Sequence, residues 1–76
     1  MSVTIFTTPT CIWCKRAKEF FKEHKIAYKE VDVSVDQKAA EYMIEKTQQM
    51  GVPVIEANGE FIVGFDEPRL RTVLRI

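Results

Sequence analysis

The sequence has 76 residues, enough for one domain and no more, so we expect a single domain over residues 1–76. Its 11 lysine and arginine residues balance 11 aspartate and glutamate residues, which predicts no general attraction to nucleic acid or to an anionic membrane. No apolar run approaches the roughly 20 residues of a membrane span, and residues 1–4 do not resemble the start of a signal peptide. We therefore expect a cytoplasmic protein, in which a close pair of cysteines is more often catalytic or metal-binding than structural.

The first predicted strand covers residues 3–7, where β-branched and aromatic side chains dominate. Residues 8–10 end it, and Thr10 is the predicted N-cap of a helix that begins at Ile12 and reaches about His24. The apolar face of this helix has the spacing i, i+3, i+4 and i+7 and consists of Ala17, Phe20, Phe21 and His24. The charged residues that cover the rest of its surface are Lys15, Arg16, Lys18, Glu19, Lys22 and Glu23.

The next two predicted elements are a strand at residues 27–33 and a helix at residues 35–47. The strand should run parallel to the first one, since a crossover helix joins the two. Ser34 is the predicted N-cap of the second helix, and Gln37 completes a capping box with it.

The remaining part of the chain predicts a hairpin followed by a helix. Strands at residues 52–57 and 61–63 flank the Asn-Gly pair at 58–59, which favours a type I′ turn. Asp66 is the predicted cap of the last helix, with Pro68 in its first turn. The predicted order is β-α-β-α-β-β-α, which is an α/β fold.

Both cysteines, Cys11 and Cys14, lie where the first strand ends and the first helix begins. Free amide groups and the positive dipole end at a helix start stabilise a thiolate, so we expect Cys11 to be exposed and to ionise readily. Cys14 lies one turn later on the same helix face and should point into the protein. The pair suits thiol–disulfide exchange, in which one thiolate attacks and a second thiol resolves the mixed disulfide. Lys15 is either a Coulombic partner of this thiolate or a solvated residue.

Two other interpretations of the cysteine pair stay open at this point, a buried structural pair and part of a metal site. A structural zinc site usually needs four protein ligands, and the sequence offers only His24 besides the cysteines. A cluster bridged between two subunits, with one Cys11 from each, is the metal-binding variant that remains.

A Cys-x-x-Cys pair after the first strand of a βαβ unit is typical of thioredoxin-like redox proteins. Over nearly its whole length the chain resembles the glutaredoxins, through segments 7–14, 49–54 and 64–67 in the family order. The resemblance implies a thioredoxin-like fold with a four-stranded mixed sheet flanked by three helices. It also implies that Cys11 attacks, that Cys14 resolves, and that a cis peptide bond before Pro53 faces the cysteines; an X-Pro bond adopts cis at a cost of only about 0.5–1 kcal/mol.

The resemblance further implies a groove for the substrate or for glutathione. Trp13 is predicted to form an aromatic wall beside the thiolate, and Val52 should offer its backbone to an extended thiol substrate. Gln49 is expected to bind the glycine carboxylate of glutathione, and the segment at 64–67 its γ-glutamyl end. The predicted binding residues are Trp13, Gln49, Val52, Pro53, Gly64, Phe65, Asp66 and Glu67.

The chain departs from the glutathione-using members of this family at several positions. Thr8 stands where they carry a lysine, Met50-Gly51 where Arg-Thr is common, and Val63 where a first glycine is usual. Two cations that would bind an anionic ligand are therefore missing, which leaves room for thioredoxin reductase as the electron donor.

We therefore expect a monomeric thiol–disulfide oxidoreductase that reduces disulfide-containing proteins or glutathione mixed disulfides. Its electron donor is expected to be glutathione or thioredoxin reductase, and no tightly bound cofactor, metal or nucleic acid is expected. The alternatives are a carrier of an iron–sulfur cluster or zinc, and a redox-sensing binding module whose partner recognises one oxidation state.

Overall fold

A computed structural model describes residues 2–76, so only the first residue of the expected domain lies outside the described part. Four strands and three helices follow one another in the predicted order β-α-β-α-β-β-α. Their bounds are β1 (Val3–Thr7), α1 (Ile12–Glu23), β2 (Lys29–Asp32), α2 (Gln37–Thr47), β3 (Val54–Ala57), β4 (Glu60–Val63) and α3 (Glu67–Leu74). Within residues 2–76, no helix has both the length and the apolar composition needed to cross a membrane.

The strands form one mixed sheet with the spatial order β2-β1-β3-β4. β1 pairs parallel with β2, while the β1–β3 and β3–β4 pairs are antiparallel. Because Phe6 lies opposite Val54, the last residues of β1 and the first residues of β3 lie side by side at the same end of the sheet. This register brings the segment that carries Cys11 next to the Val52-Pro53 bond. The predicted four-stranded mixed sheet flanked by three helices is confirmed.

Two apolar clusters lie on the two faces of the sheet, as the alternation of side chains along β1 requires. Ile5 packs with Phe21 of α1 and Leu70 of α3 in the larger cluster. Phe6, its neighbour in sequence, packs with Met43 of α2 in the smaller one. Helices α1 and α3 therefore cover one face of the sheet, and α2 covers the other.

Two predicted helix caps are wrong, since the N-cap of α1 is Cys11 and not Thr10, and that of α2 is Asp36 and not Ser34. The Asp36 carboxylate accepts a hydrogen bond from the Ala39 backbone N–H at 3.0 Å. The Ser34 N–H instead donates to the Asp32 carboxylate at 2.9 Å, which holds Ser34 in the turn after β2.

Two predicted strands are too long, because β2 covers only Lys29–Asp32 and β3 begins at Val54. Pro53 has no N–H to donate to a strand ladder, so β3 starts after it. The Asn-Gly turn is confirmed, with positive φ at Asn58 and Gly59. Asp66 is confirmed as the cap of α3.

Candidate active site

Cys11 occupies the position where a loop from the sheet turns into α1. Its backbone is extended, as an N-cap requires, and its sulfur takes the place of the oxygen that usually caps a helix. The backbone N–H of Cys14 donates to Cys11 Sγ at 3.1 Å. One of the free amide donors of the first turn therefore points at this sulfur, where the positive end of the helix dipole favours negative charge.

Cys14 is fully buried, whereas Cys11 is half-buried, and both are free cysteines. Burial raises the pKa of the Cys14 thiol above its ordinary value, and the contact with Cys11 raises it further. Hydrogen bonds to Thr7 and Thr8 act in the opposite direction. This difference in exposure follows the expected arrangement, with one accessible sulfur and one protected sulfur directly behind it.

The peptide bond between Val52 and Pro53 is cis and faces Cys11, as the resemblance implies. The Cys11 thiol lies 3.8 Å from the Val52 carbonyl oxygen, to which it donates a weak hydrogen bond. The Pro53 carbonyl accepts a hydrogen bond from the Gly64 N–H at 2.8 Å, which ties this bend to the end of β4. The bend therefore presents main-chain atoms beside the exposed sulfur.

A mainly apolar groove of about 290 Å³ lies next to this bend. Five of the predicted binding residues line it, namely Trp13, Val52, Pro53, Gly64 and Phe65. The Trp13 side chain is 55% exposed, and the Arg16 guanidinium stacks over its ring at 5.5 Å from the centroid. This cation–π contact favours the position of the indole beside the groove.

The other three predicted binding residues lie outside this groove, and each has a local partner. The Gln49 amide accepts from the Gly51 N–H at 2.6 Å and donates to the Gly51 carbonyl at 3.1 Å. The Asp66 carboxylate accepts from the Arg69 N–H at 3.2 Å at the start of α3. Glu67 forms an ion pair with Arg71 at 3.1 Å. All three side chains therefore stabilise local structure around the groove.

A second cleft, of about 510 Å³, lies along α1 and reaches Cys11. Three lysines line it, Lys15, Lys18 and Lys22, together with the loop that follows β1. From the sequence, Lys18 and Lys22 were predicted only as part of the charged surface of the helix. Their spacing with Lys15, at i, i+3 and i+7, already indicated one shared face.

No group of three or more His, Cys, Asp or Glu side chains within residues 2–76 is arranged to hold a metal ion. The His24 ring instead packs on Phe20, with 4.4 Å between the ring centroids. A zinc site built from the cysteines and His24 of one chain therefore has no support in this part of the structure.

Comparisons with known proteins agree with the fold. A family model described as Glutaredoxin matches residues 3–62. An uncharacterised glutaredoxin-like 8.6 kDa protein in a rubredoxin operon of Clostridium pasteurianum is 43% identical over 68 residues, covering 90% of this chain and 91% of that protein. Glutaredoxin 3 of Escherichia coli (strain K12) is 29% identical over 66 residues, which cover 87% of this chain and 80% of its own.

The structural comparison reaches nearly the whole chain. The crystal structure of a mutant thioredoxin-like protein matches with a TM-score of 0.92 and 29% sequence identity. The match covers 99% of this chain and 96% of that one.

Proposed function

Since the chain belongs to the glutaredoxin family, we propose that it is a thiol–disulfide oxidoreductase whose Cys11 and Cys14 reduce disulfides of proteins or mixed disulfides with glutathione. The observation that carries this proposal is the hydrogen bond from the Cys14 N–H to Cys11 Sγ, next to a buried second thiol. It supports a stabilised anion on the accessible sulfur and a protected thiol within reach of it.

The first step is an attack by the Cys11 thiolate on one sulfur of the substrate disulfide. A new bond joins that sulfur to Cys11 Sγ, the substrate S–S bond breaks, and the departing thiolate takes a proton from water. Cys14 then loses its proton, its thiolate attacks Cys11 Sγ, and the second substrate thiol leaves. The substrate gains two electrons, and the protein is left with a Cys11–Cys14 disulfide.

The groove beside Cys11 supports an extended thiol substrate. Its apolar wall, formed by Trp13 and Phe65, suits the carbon skeleton of a peptide, and the Val52 backbone offers main-chain hydrogen bonds. Gln49, Asp66 and Glu67 are proposed to contribute to this site when glutathione binds. Their local partners in the structure make glutathione a weak ligand in this proposal.

The oxidised protein needs two electrons to return to the dithiol. Two glutathione molecules supply them by forming glutathione disulfide, or thioredoxin reductase supplies them from NADPH. Comparing the rates of reduction of the oxidised protein by the two donors distinguishes them. We propose the cytoplasm as the site of action, because its thiols are kept reduced.

Substituting each cysteine by serine tests the proposed roles. Cys11→Ser should abolish disulfide reduction, because serine is no nucleophile towards sulfur at neutral pH. Cys14→Ser should accumulate a mixed disulfide on Cys11, visible by intact mass, because the resolving thiol is gone. Circular dichroism of both variants controls for folding. A folded Cys11→Ser protein that reduces disulfides at the wild-type rate would show that the nucleophile is wrongly assigned.

A further inference from the structure

We propose that the surface formed by Lys15, Lys18 and Lys22, here called the lysine face, binds an acidic segment that flanks the disulfide of a protein substrate, through the charges of Lys15 and Lys22. The proposal rests on the disulfide reductase activity proposed above and names the class of protein it favours. It concerns the cleft along α1, which is separate from the groove lined by Trp13 and Phe65.

The two clefts share no lining residue, and both lie near the reactive sulfur. Cys11 lines the cleft of the lysine face, and its Sγ lies 3.8 Å from the carbonyl oxygen of Val52, which lines the groove. A substrate chain that is bound covalently to Cys11 can therefore extend from the sulfur in two directions. One direction follows the Val52 backbone, and the other runs over α1 between the lysines.

The charges of the second cleft are unbalanced. Its lining contains three lysines against one carboxylate, Glu19. Lys18 is paired with Glu30 at 2.7 Å, whereas Lys15 and Lys22 form no ion pair with any residue from 2 to 76. Two unpaired ammonium groups therefore face a cleft that leads to the nucleophile, in a chain whose overall charge is zero.

The dimensions of the helix favour a protein segment over a small anion. With a rise of 1.5 Å per residue, Lys15 lies about 6 Å and Lys22 about 16 Å from Cys11 along the axis. An extended peptide advances about 3.3 Å per residue, so these distances correspond to about two and about five residues from the substrate cysteine. Glutathione has a single residue on either side of its cysteine and does not reach Lys22.

Exposed ion pairs are weak individually, but two of them alter a rate measurably. Together they should speed the reaction of an acidic substrate about three- to tenfold over a neutral one. The effect should appear mainly in the association step, since complementary charges steer encounter. It should fade at high salt, because screening at about 1 M ionic strength acts within about 3 Å.

A single-turnover experiment with the reduced protein tests this inference. The substrates are two disulfide-linked peptide dimers, one with Asp two and five residues from the cysteine on both sides, and one with Asn at those positions. Oxidation is followed by the fluorescence of Trp13, the single tryptophan of the chain. The measured quantity is the ratio of the rates with the Asp and Asn peptides, in which any effect of Lys15 on Cys11 reactivity cancels.

The wild type should give a ratio of about 3 to 10 at low salt and about 1 at high salt. The double variant Lys15→Gln/Lys22→Gln should give about 1 at both, and Lys15→Glu/Lys22→Glu should invert the preference. Lys29→Gln/Lys38→Gln removes the same charge away from the cleft, so it should keep the wild-type ratio.

The outcomes separate this inference from the function on which it rests. A wild type that reduces both peptides at equal rates at low salt overturns the role of the lysine face and leaves the reductase assignment intact. A double variant that keeps the wild-type ratio does the same. A wild type that reduces neither peptide contradicts the proposed function, and the inference falls with it.

Discussion

Cys11 caps a helix with the same sulfur atom that is proposed to react. The Cys14 N–H donates a hydrogen bond to Cys11 Sγ. In most helices the side-chain oxygen of the N-cap residue accepts this hydrogen bond. A sulfur anion accepts such a hydrogen bond more strongly than a disulfide sulfur does. The start of α1 is therefore best capped in the reduced state, and this contact favours the dithiol over the disulfide form.

The second cysteine should make the resolving step depend on pH. Burial raises the pKa of the Cys14 thiol, so at neutral pH it is protonated in nearly every molecule. At pH values below that pKa, the thiolate fraction of Cys14 grows about tenfold for each unit by which the pH rises. Resolution of a mixed disulfide on Cys11 should therefore accelerate steadily through pH 8.5, about where a free cysteine levels off. Stopped-flow release of the second substrate thiol measures this rate.

Thr7 offers a control for this prediction, since its side-chain hydrogen bond lowers the pKa of Cys14. Thr7→Val removes the hydroxyl from a buried site and should slow resolution at pH 7.5 about two- to fivefold, the value of one modest hydrogen bond. Thr7→Ser keeps the hydroxyl and should resolve at nearly the wild-type rate. A rate that does not change between about pH 7 and pH 9 would contradict the proposed protonation of Cys14.

Two substitutions of Asp66 distinguish a role in capping α3 from a role in binding a ligand. Its carboxylate caps α3, so Asp66→Ala should cost about 1 kcal/mol. For a domain of this size that lowers the melting temperature by about 4–8 °C. Asp66→Asn keeps a capping oxygen and removes the charge, so it should melt within about 2 °C of the wild type. Calorimetry measures both.

The asparagine variant also tests the predicted contact with glutathione. If Asp66 binds the γ-glutamyl amino group, Asp66→Asn should raise the KM for a glutathione mixed disulfide without a loss of stability. An unchanged KM would leave Asp66 with the cap alone. Asp36→Ala provides a matched control, because it removes the N-cap of α2, on the opposite face of the sheet from α1 and α3.

The elements themselves were predictable because their causes are local. The alternation in β1, the apolar stripe of α1 and the Asn58-Gly59 turn each depend on neighbours in sequence. The caps of α1 and α2 were misplaced because a residue that is a good N-cap precedes the one that is used, namely Thr10 before Cys11 in α1 and Ser34 before Asp36 in α2. Which one is used depends on where the chain leaves the sheet.

The site was predictable to a similar extent. The cysteine pair is recognisable from adjacent residues, the resemblance to the glutaredoxins implied the Val52-Pro53 bend, and the register of β1 and β3 brings the two together. The local hydrogen bonds of Gln49 and the cleft lined by the lysine face were not predictable. Both depend on side-chain positions that are determined only once the helix and the loops have packed.

The small core of this domain leaves little reserve of stability. A chain of 76 residues buries a limited apolar area, and domains in general are stable by only about 5–15 kcal/mol. Phe21 is fully buried between α1 and the sheet and packs against Tyr28, with 5.2 Å between the ring centroids. Phe21→Ala should therefore cost about 3–5 kcal/mol, much of the total. Urea denaturation measures this loss.

The chemistry should survive that loss wherever the chain is still folded, because the apolar cluster that holds Phe21 includes neither cysteine and neither residue of the cis bend. Phe21→Leu retains most of the side-chain volume, so it should lower the free energy of unfolding clearly less than Phe21→Ala. Val35 is exposed in the turn before α2, so Val35→Ala should change the free energy of unfolding by no more than about 0.5 kcal/mol. In low urea, the disulfide reductase rate per folded molecule should be the same in all three variants. A rate per folded molecule that falls in proportion to the loss of stability would contradict this expectation. It would mean that the packing of the core controls the position of α1, and with it the cap at Cys11.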